Sequence, residues 1–315
     1  MLSSKNHKCV VIYNPQARKL RSRSRDRLER ARQIFSEAGY ETILVPTSGP
    51  GAGAGLARSS VADGAGLIVA AGGDGTINEV AEGMVHSRVP LGILPAGTAN
   101  VLAMETGMSS NLELAARELL TYTPERISVG CLHFNNVNHC VRHFLLMAGI
   151  GLDARLIYEL SASLKTNLGK MAYWIAAFSL MGRRLEEFSV NVEDRNYRCS
   201  FALVSKVRNY GGDLEIARDT SLFDDQFEVV LFQGQNSARY VRYFIGVVRN
   251  RLRGMKGVSI LRTPKLHVSP VQDSRAYVQV DGEYAGHLPV SVEIVKDALT
   301  LLLPPSYRSC RAATA

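Results

Sequence analysis

Two glycine turns concentrate the chemistry of this chain: Gly72-Gly73-Asp74-Gly75-Thr76 and Leu94-Pro95-Ala96-Gly97-Thr98-Ala99-Asn100. Each ends a short apolar run, Leu67–Ala71 and Leu91–Leu94, of the kind that forms a buried strand. Glycine lets main-chain N–H groups approach an anion without obstruction by a Cβ, and a following helix aligns its positive end at the same place. That combination suits the polyphosphate of a nucleotide. Asp74 puts a carboxylate among those donors, which a phosphate-only binder would avoid unless Mg²⁺ bridged the two charges. The pattern points to phosphoryl transfer, with Thr76 and Thr98 as hydroxyl donors to phosphate oxygens. Asn78 and Glu79 are expected on the first turn of a helix that starts at Ile77, where Glu79 can also complement the helix dipole.

Other segments carry weaker signals. Gly49–Gly55 superficially resembles a dinucleotide fingerprint, but Leu56 occupies the final glycine position, so it reads as a mobile loop leading into a helix. Thr47, just before it, is a candidate ribose or phosphate contact. Val280-Asp281-Gly282-Glu283 lies between two strand-like runs and reads equally as a hairpin turn and as a rigid mount for a general base. A base matters because an alcohol hydroxyl is a poor nucleophile toward a γ-phosphate. Asp224-Asp225, directly before the run Phe227–Phe232, is either a solvated acidic turn or, with backbone carbonyls, a cradle for a hard cation. Residues 238–252 form an amphipathic helix with Val241, Phe244, Ile245, Val248 and Leu252 in one stripe. Arg239, Arg242, Arg249 and Arg253 flank that stripe on one side, and Tyr240 and Tyr243 lie on another. Such a helix either faces a core with a basic outer surface or lies against an anionic bilayer.

The elements that must position these residues change character along the chain. Strands at Cys9–Tyr13, Glu41–Val45, Leu67–Ala71 and Leu91–Leu94 alternate with helical segments at 22–38, Ile77–Val85 and Leu112–Leu120. That alternation implies a doubly wound parallel sheet, which binds ligands outside the carboxyl ends of its strands. Both glycine turns fall at such ends. After about residue 126 strand-like runs follow one another: Phe144–Ala148, Val190–Glu193, Phe201–Ser205, Phe227–Phe232, Lys265–Val268, Ala276–Val280 and Val290–Val295. They are interrupted by helical stretches near 168–185 and 237–252, and they imply an antiparallel β domain. The expected division is an α/β domain over 1–126, a β domain over 127–298 and a C-terminal segment over 299–315. The run Leu299–Leu303, ahead of Pro304-Pro305, can return to either domain.

Composition narrows the class. A chain of 315 residues with 46% hydrophobic and 21% charged residues has room for two cored domains. The five cysteines are scattered without a C-x-x-C pair, which argues against a disulfide framework or a structural zinc and fits a reducing compartment. The stretch Met171–Met181 is about half the ~20 residues of a membrane-spanning helix. No secretory apolar core opens the chain, so a cytoplasmic protein that visits the membrane surface is expected. The net charge of +8 is concentrated at residues 1–32 and between Arg239 and Lys265. Such charge recruits an anionic partner, a membrane face or nucleic acid. The basic segments lack a recognisable nucleic-acid module, so no nucleic-acid partner is expected.

At this point the residues resemble a known family. Gly72-Gly73-Asp74-Gly75-Thr76-Ile77-Asn78-Glu79-Val80 is similar to the nucleotide motif of the diacylglycerol kinase catalytic domain, shared with sphingosine and ceramide kinases. Asn14-Pro15, Leu94–Asn100, Gly149-Ile150-Gly151-Leu152-Asp153-Ala154, Asn209-Tyr210-Gly211-Gly212 and Val280–Glu283 resemble segments of the soluble bacterial lipid kinases. The resemblance implies an α/β domain and a β-sandwich with ATP in the cleft between them. It assigns Asn14, Thr47, Gly72, Gly73, Asp74, Gly75, Thr76, Ile77, Asn78, Gly97 and Thr98 to ATP, with Asp74 acting through Mg²⁺ and Glu283 as proton acceptor. It also implies a structural Mg²⁺ held by Asp224 with groups of Ser221 and Gln226. Three positions depart from the family pattern: Val101 and Ser128 stand where acids are common, and Asp225 replaces the glycine of the metal turn.

The expected activity is transfer of the γ-phosphate of ATP to a hydroxyl of a membrane lipid, foremost diacylglycerol, at an anionic membrane surface. NAD kinase shares the Gly-Gly-Asp-Gly-Thr turn and is the near alternative. A non-catalytic nucleotide- or lipid-binding regulator is the alternative of another class. Assembly as a homodimer is left open.

Overall fold

A computed structural model describes residues 8–21, 25–134, 140–151, 185–210, 214–236, 238–271 and 275–312. The expected helix near 168–185 lies almost wholly outside the described residues, as do Leu152-Asp153-Ala154 and Gly211-Gly212. The chain forms two units, residues 1–128 with 296–315, and residues 129–295.

The first unit is built from β1 (Lys8–Tyr13), α1 (Arg25–Glu37), β2 (Glu41–Pro46), α2 (Ala52–Ala62), β3 (Leu67–Gly72), α3 (Asp74–Met84), β4 (Leu91–Pro95), α4 (Val101–Thr106) and α5 (Leu112–Leu119). Strands β2, β1, β3 and β4 lie side by side in that order, all parallel. Their apolar runs are buried on both faces, as a sheet covered by helices on either side requires: every residue of β3 and β4 is buried. Phe35, Leu67, Val69, Leu94 and Leu119 belong to one core cluster. Because the chain leaves β1 toward β2 and returns on its other side as β3, the sheet reverses its order between β1 and β3, where an open α/β sheet forms a crevice.

Two helix starts differ from the sequence reading. Helix α3 begins at Asp74 rather than Ile77, since the first turn of a helix tolerates Asp and Gly whose N–H groups need no intrahelical acceptor. Helix α2 begins inside the glycine-rich stretch, so Gly53 and Gly55 are helical and not part of a loop. The glycines there serve packing. A Cβ on Gly53 would come 2.8 Å from the Glu79 Cβ, and one on Gly83 would come 2.2 Å from the Ala54 carbonyl oxygen, so α2 and α3 cross too closely for side chains.

The strand β5 (Thr123–Phe134) leads out of the first unit. The second unit then contains β6 (Cys140–Phe144), β7 (Met147–Gly151), β8 (Phe188–Val192), β9 (Arg195–Cys199), β10 (Phe201–Ser205), β11 (Asn209–Tyr210), β12 (Leu214–Glu215), β13 (Phe227–Phe232), α6 (Ala238–Val248), β14 (Val258–Thr263), β15 (Lys265–Pro270), β16 (Tyr277–Val280), β17 (Glu283–His287) and the first part of β18 (Val290–Leu303). One antiparallel sheet has the order β14-β13-β10-β7-β16-β17; strands β18, β15, β8 and β9 form another antiparallel run, and β5 pairs with β6. Phe144, Phe188, Val204, Phe227, Val268 and Val290 share one core, drawn from both sheets. The expected single strand Phe144–Ala148 is instead the end of β6, a turn at Leu145-Leu146 and the start of β7.

The last strand runs through the stretch that the sequence reads as two. Strand β18 is continuous over 14 residues, with Asp297 at φ 49° in its middle. From Lys296 onward it belongs to the first unit, where Leu301 pairs in parallel with Leu91 of β4. The closing helix α7 (Pro305–Ala312) follows, and its Tyr307 hydroxyl donates to Glu105 at 3.3 Å. No helix among the described residues is long and apolar enough to cross a membrane.

Candidate active site

The carboxyl ends of β1, β2, β3 and β4 place Asn14, Thr47, Gly72 and the second glycine turn along one edge of the first unit's sheet. Backbone bonds tie them together. The Asn14 N–H donates to the Ala71 carbonyl at 3.0 Å, and the Thr47 N–H donates to the Tyr13 carbonyl at 2.8 Å. Ala96 and Gly97 both donate to the Gly72 carbonyl, at 2.8 and 3.1 Å. The Asn14 amide donates to the Thr76 hydroxyl at 3.4 Å across the β1–β3 crevice.

The two turns touch at their glycines. A Cβ on Gly97 would lie 2.5 Å from the Gly73 Cα and 2.9 Å from Asn100 Oδ1. One on Gly72 would lie 2.5 Å from the Thr76 Cβ. Asn100, in the left-handed region at φ 49°, closes the second turn by accepting the Gly97 N–H at 2.9 Å and donating to the Gly97 carbonyl at 3.1 Å. Thr98 is exposed at its tip.

Three helices begin nearby, and their N-terminal charges are handled differently. Glu79 of α3 accepts the Gly51 and Gly53 N–H groups at 2.7 and 3.0 Å, so its carboxylate neutralises the start of α2 rather than of its own helix. Asp74 accepts the Leu102 N–H at 3.3 Å and thereby caps α4. Burial pushes the Asp74 carboxyl up, and backbone amides at Val101, Leu102 and Asn100 pull it the other way. Helix α3, which supplies both carboxylates, has Gly73 as its own N-cap and no side chain capping it. Gly73 leaves the approach to the helix's first N–H groups open, with Asp74 as the acid of its first turn.

Not every expected contact fits. Ile77 is fully buried and its N–H donates to the Gly73 carbonyl at 3.0 Å, so the structure removes it from the set facing a ligand. Asn78 lies half-buried on the second turn of α3, not the first. Lys19 is absent from the sequence-based set. Its N–H donates to the Ala96 carbonyl at 3.1 Å and its ammonium to the Pro95 carbonyl at 3.3 Å, which clamps the second turn from below. Burial, then Arg18 and Arg27, lower its pKa. The one hint in the sequence is its place five residues after Asn14.

In the second unit, Asp281 and Gly282 form the turn of the β16–β17 hairpin, with φ 48° and 84°. This is the two-residue turn that Asp-Gly favours. The buried Asp281 carboxylate accepts the N–H groups of Leu145, Leu146 and Met147 at 3.0, 3.0 and 2.9 Å, which fixes the β6–β7 turn. Glu283 is exposed, with the Arg142 guanidinium at 3.6 Å. The tight turn thus divides the work: Asp281 holds the fold, and Glu283 is presented outward.

The expected metal turn holds different cations. Asp224 Oδ2 accepts the Ser221 N–H at 3.1 Å and pairs with the Arg262 guanidinium at 2.8 Å. The ammonium of Lys206, wholly buried at the end of β10, donates to the Asp224 carbonyl oxygen. Burial lowers the Lys206 pKa to about 8, against the pull of Asp224 and Asp225. The Ser221 carbonyl accepts the Asp224 N–H at 3.0 Å, and Gln226 is exposed. Two cations, Lys206 and Arg262, already contact this turn. The Asp224 carbonyl and Oδ2 are thus taken by an ammonium and a guanidinium, and a divalent ion beside them would meet two like charges, so these residues do not fit Mg²⁺.

Comparison with known proteins covers nearly the whole chain. Residues 8–132 match the model described as the diacylglycerol kinase catalytic domain, and residues 147–303 match the one described as the YegS C-terminal NAD kinase beta sandwich-like domain. A diacylglycerol kinase of Bacillus subtilis is 30% identical over 89% of this chain and 90% of its own. One from Staphylococcus epidermidis is 25% identical over 93% and 91%. A crystal structure of a diacylglycerol kinase from Bacillus anthracis superposes with a TM-score of 0.77, covering 96% of this chain and 99% of that one at 21% identity, a likeness in fold alone.

Proposed function

Because this chain belongs to the diacylglycerol kinase family and is a lipid kinase, we propose that it transfers the γ-phosphate of ATP to a hydroxyl of a membrane lipid, with diacylglycerol as acceptor. The observation that carries the nucleotide's place is the contact of two Cβ-free turns ahead of a helix whose N-cap is glycine. Gly97 and Gly73 meet there beside the β1–β3 crevice, Gly73 is the N-cap of α3, and Asp74 at the first position of α3 turns its carboxylate to the Leu102 N–H. A phosphate chain is the anion that fits such a start, because backbone N–H groups and the helix dipole both point at it.

Gly72, Gly73, Gly75 and Gly97 then supply a cradle without Cβ atoms, and Asn14, Thr47, Thr76, Asn78 and Thr98 border it as polar contacts. Mg²⁺ arriving with the nucleotide would neutralise charge on its phosphates. Asp74 serves the same end from the protein side: it sets the second turn by capping α4 and puts one negative charge beside the phosphates' cation. Glu283 is proposed as the group that accepts the hydroxyl proton of the lipid. Phosphoryl transfer needs little covalent help, so positioning and charge neutralisation carry the rate.

The acceptor implies a membrane surface, and α6 offers a face for it. Val241, Ile245 and Val248 are 37, 44 and 54% exposed along one side, and Arg239, Arg242 and Arg249 are exposed around them. Aliphatic side chains ringed by guanidinium groups suit an anionic bilayer.

The test is incubation of purified protein with γ-labelled ATP, Mg²⁺ and vesicles containing diacylglycerol. Label should appear in phosphatidic acid. A parallel incubation with total membrane lipid identifies another acceptor, and label that never enters any lipid would overturn the reading.

A further inference from the structure

The turn 221–226 is built around a cation, and the chain supplies that cation itself. We propose that the Lys206 ammonium, supported by Arg262, occupies the position of a bound metal ion at this turn, so that the second unit folds and holds its shape without a divalent ion there. The turn lies wholly within the second unit, and its cation is independent of which substrate the protein phosphorylates.

The local chain makes Lys206 hard to explain otherwise. It stands directly after β10, whose five residues are all buried, and its own side chain has no exposed surface. Its N–H donates to the Leu146 carbonyl at 2.8 Å, which fixes where the side chain starts. A lysine that only needed to satisfy its charge would reach water along its four-carbon stem. This one instead delivers its ammonium to the Asp224 carbonyl, inside the turn. Turn carbonyls and carboxylates are the donor set of a hard cation, and an ammonium uses the same oxygens through its N–H groups.

The acids of the turn are occupied to match. Asp224 spans it, with Oδ2 on the Ser221 N–H and on Arg262. Arg262 reaches it from β14, in register with Glu228 of β13, which in turn faces Ser205 of β10. Glu228 is buried and accepts the Asp219 N–H at 2.6 Å, so it closes the other side of the same segment. Asp225, at the glycine position of the family pattern, adds an exposed carboxylate that attracts the ammonium. Asp225, the one departure from the metal turn, is therefore part of a lysine-centred one.

The experiment uses nucleotide-free, full-length protein, so that magnesium carried by ATP plays no part. Elemental analysis after gel filtration should find well under one divalent ion per chain. The melting temperature should be the same in EDTA, Mg²⁺ and Ca²⁺. Lys206→Asn removes the ammonium and leaves the oxygens; it should melt lower, and millimolar Mg²⁺ or Ca²⁺ should raise its melting temperature by ~5 °C, a response the unsubstituted protein lacks. One tightly held metal ion per chain, or a saturable metal-dependent rise in the unsubstituted protein, would overturn the proposal. So would a folded Lys206→Asn that ignores both metals. Should that variant not fold, the metal content and metal response of the unsubstituted protein decide.

Discussion

Gly73 and Gly97 meet backbone to backbone: a methyl group on Gly97 would fall 2.5 Å from the Gly73 Cα. The proposed nucleotide cradle is thus a single object made of two turns, and its shape depends on neither turn having a side chain there. Gly97→Ala must push β4's turn away from α3. The expected loss of activity is at least ~10²-fold, because a displacement near 1 Å at a positioning element costs that much. Stability should fall by about 1–3 kcal/mol, the usual penalty of forced overpacking. Nucleotide affinity measured by calorimetry separates the two effects, and near-normal affinity in Gly97→Ala would show that the turns do not act together.

Asp74 joins the cradle to α4 through Leu102, which allows its charge and its capping to be tested apart. Asp74→Asn keeps an oxygen that can accept the Leu102 N–H but removes the charge, so it should lower turnover at least ~10²-fold while the melting temperature barely moves. Asp74→Ala should lose the cap as well, about 0.5–2 kcal/mol. If both variants kept the turnover of the unsubstituted protein and differed only in stability, Asp74 would be a cap and nothing more.

Much of the first unit is legible in the sequence because its signals are local. Each parallel strand reads as an apolar run, and β1, β2 and β3 run into breakers at Asn14-Pro15, Pro46 and Gly72-Gly73. Helix starts are less legible. Gly73-Asp74-Gly75 looks like loop by propensity, yet the first turn of α3 needs no intrahelical acceptors for its N–H groups, and Gly53 is helical because Glu79 lies against it. The partners of Glu79 and Asp74 are equally hidden: Gly51 is 28 residues from Glu79, and Leu102 is 28 from Asp74. Nothing in spacing links a carboxylate to the start of another helix. The second unit is harder still, since Leu145-Leu146 is apolar enough to read as strand but is turned by the distant Asp281. The cation of the turn 221–226 is obscured for the same reason, as Lys206 lies 18 residues before the carbonyl it serves.

Helix α6 is expected to present one apolar stripe, and the structure divides it. Tyr243 and Val247 face the core, whereas Val241, Ile245 and Val248 do not. Replacing Val241 and Ile245 with Asp should leave the fold intact, because neither side chain is buried, and should weaken binding to vesicles rich in anionic lipid by ~10-fold or more. Exchanging Arg242 and Arg249 for Glu should do the same in low salt, with a smaller effect at high salt where surface charge is screened. Sedimentation with vesicles reads both. Undiminished sedimentation of the Asp variant would mean that another surface meets the bilayer.

The turn that carries Asp281 and Glu283 gives the sharpest separation of structure from chemistry. Asp281 satisfies three backbone N–H groups of a buried turn, and hydrogen bonds to a charged acceptor contribute about 1.5–3 kcal/mol each before any compensation. Asp281→Ala leaves those donors unpaired and should cost several kcal/mol, enough to lower the melting temperature well beyond experimental error. The exposed Glu283 carboxylate has the Arg142 guanidinium at 3.6 Å, a contact worth under ~1 kcal/mol. Glu283→Gln should therefore melt with the unsubstituted protein while its kcat falls at least ~10²-fold and its nucleotide affinity holds. Full turnover in Glu283→Gln would remove the proposed base and leave the hairpin as a purely structural turn.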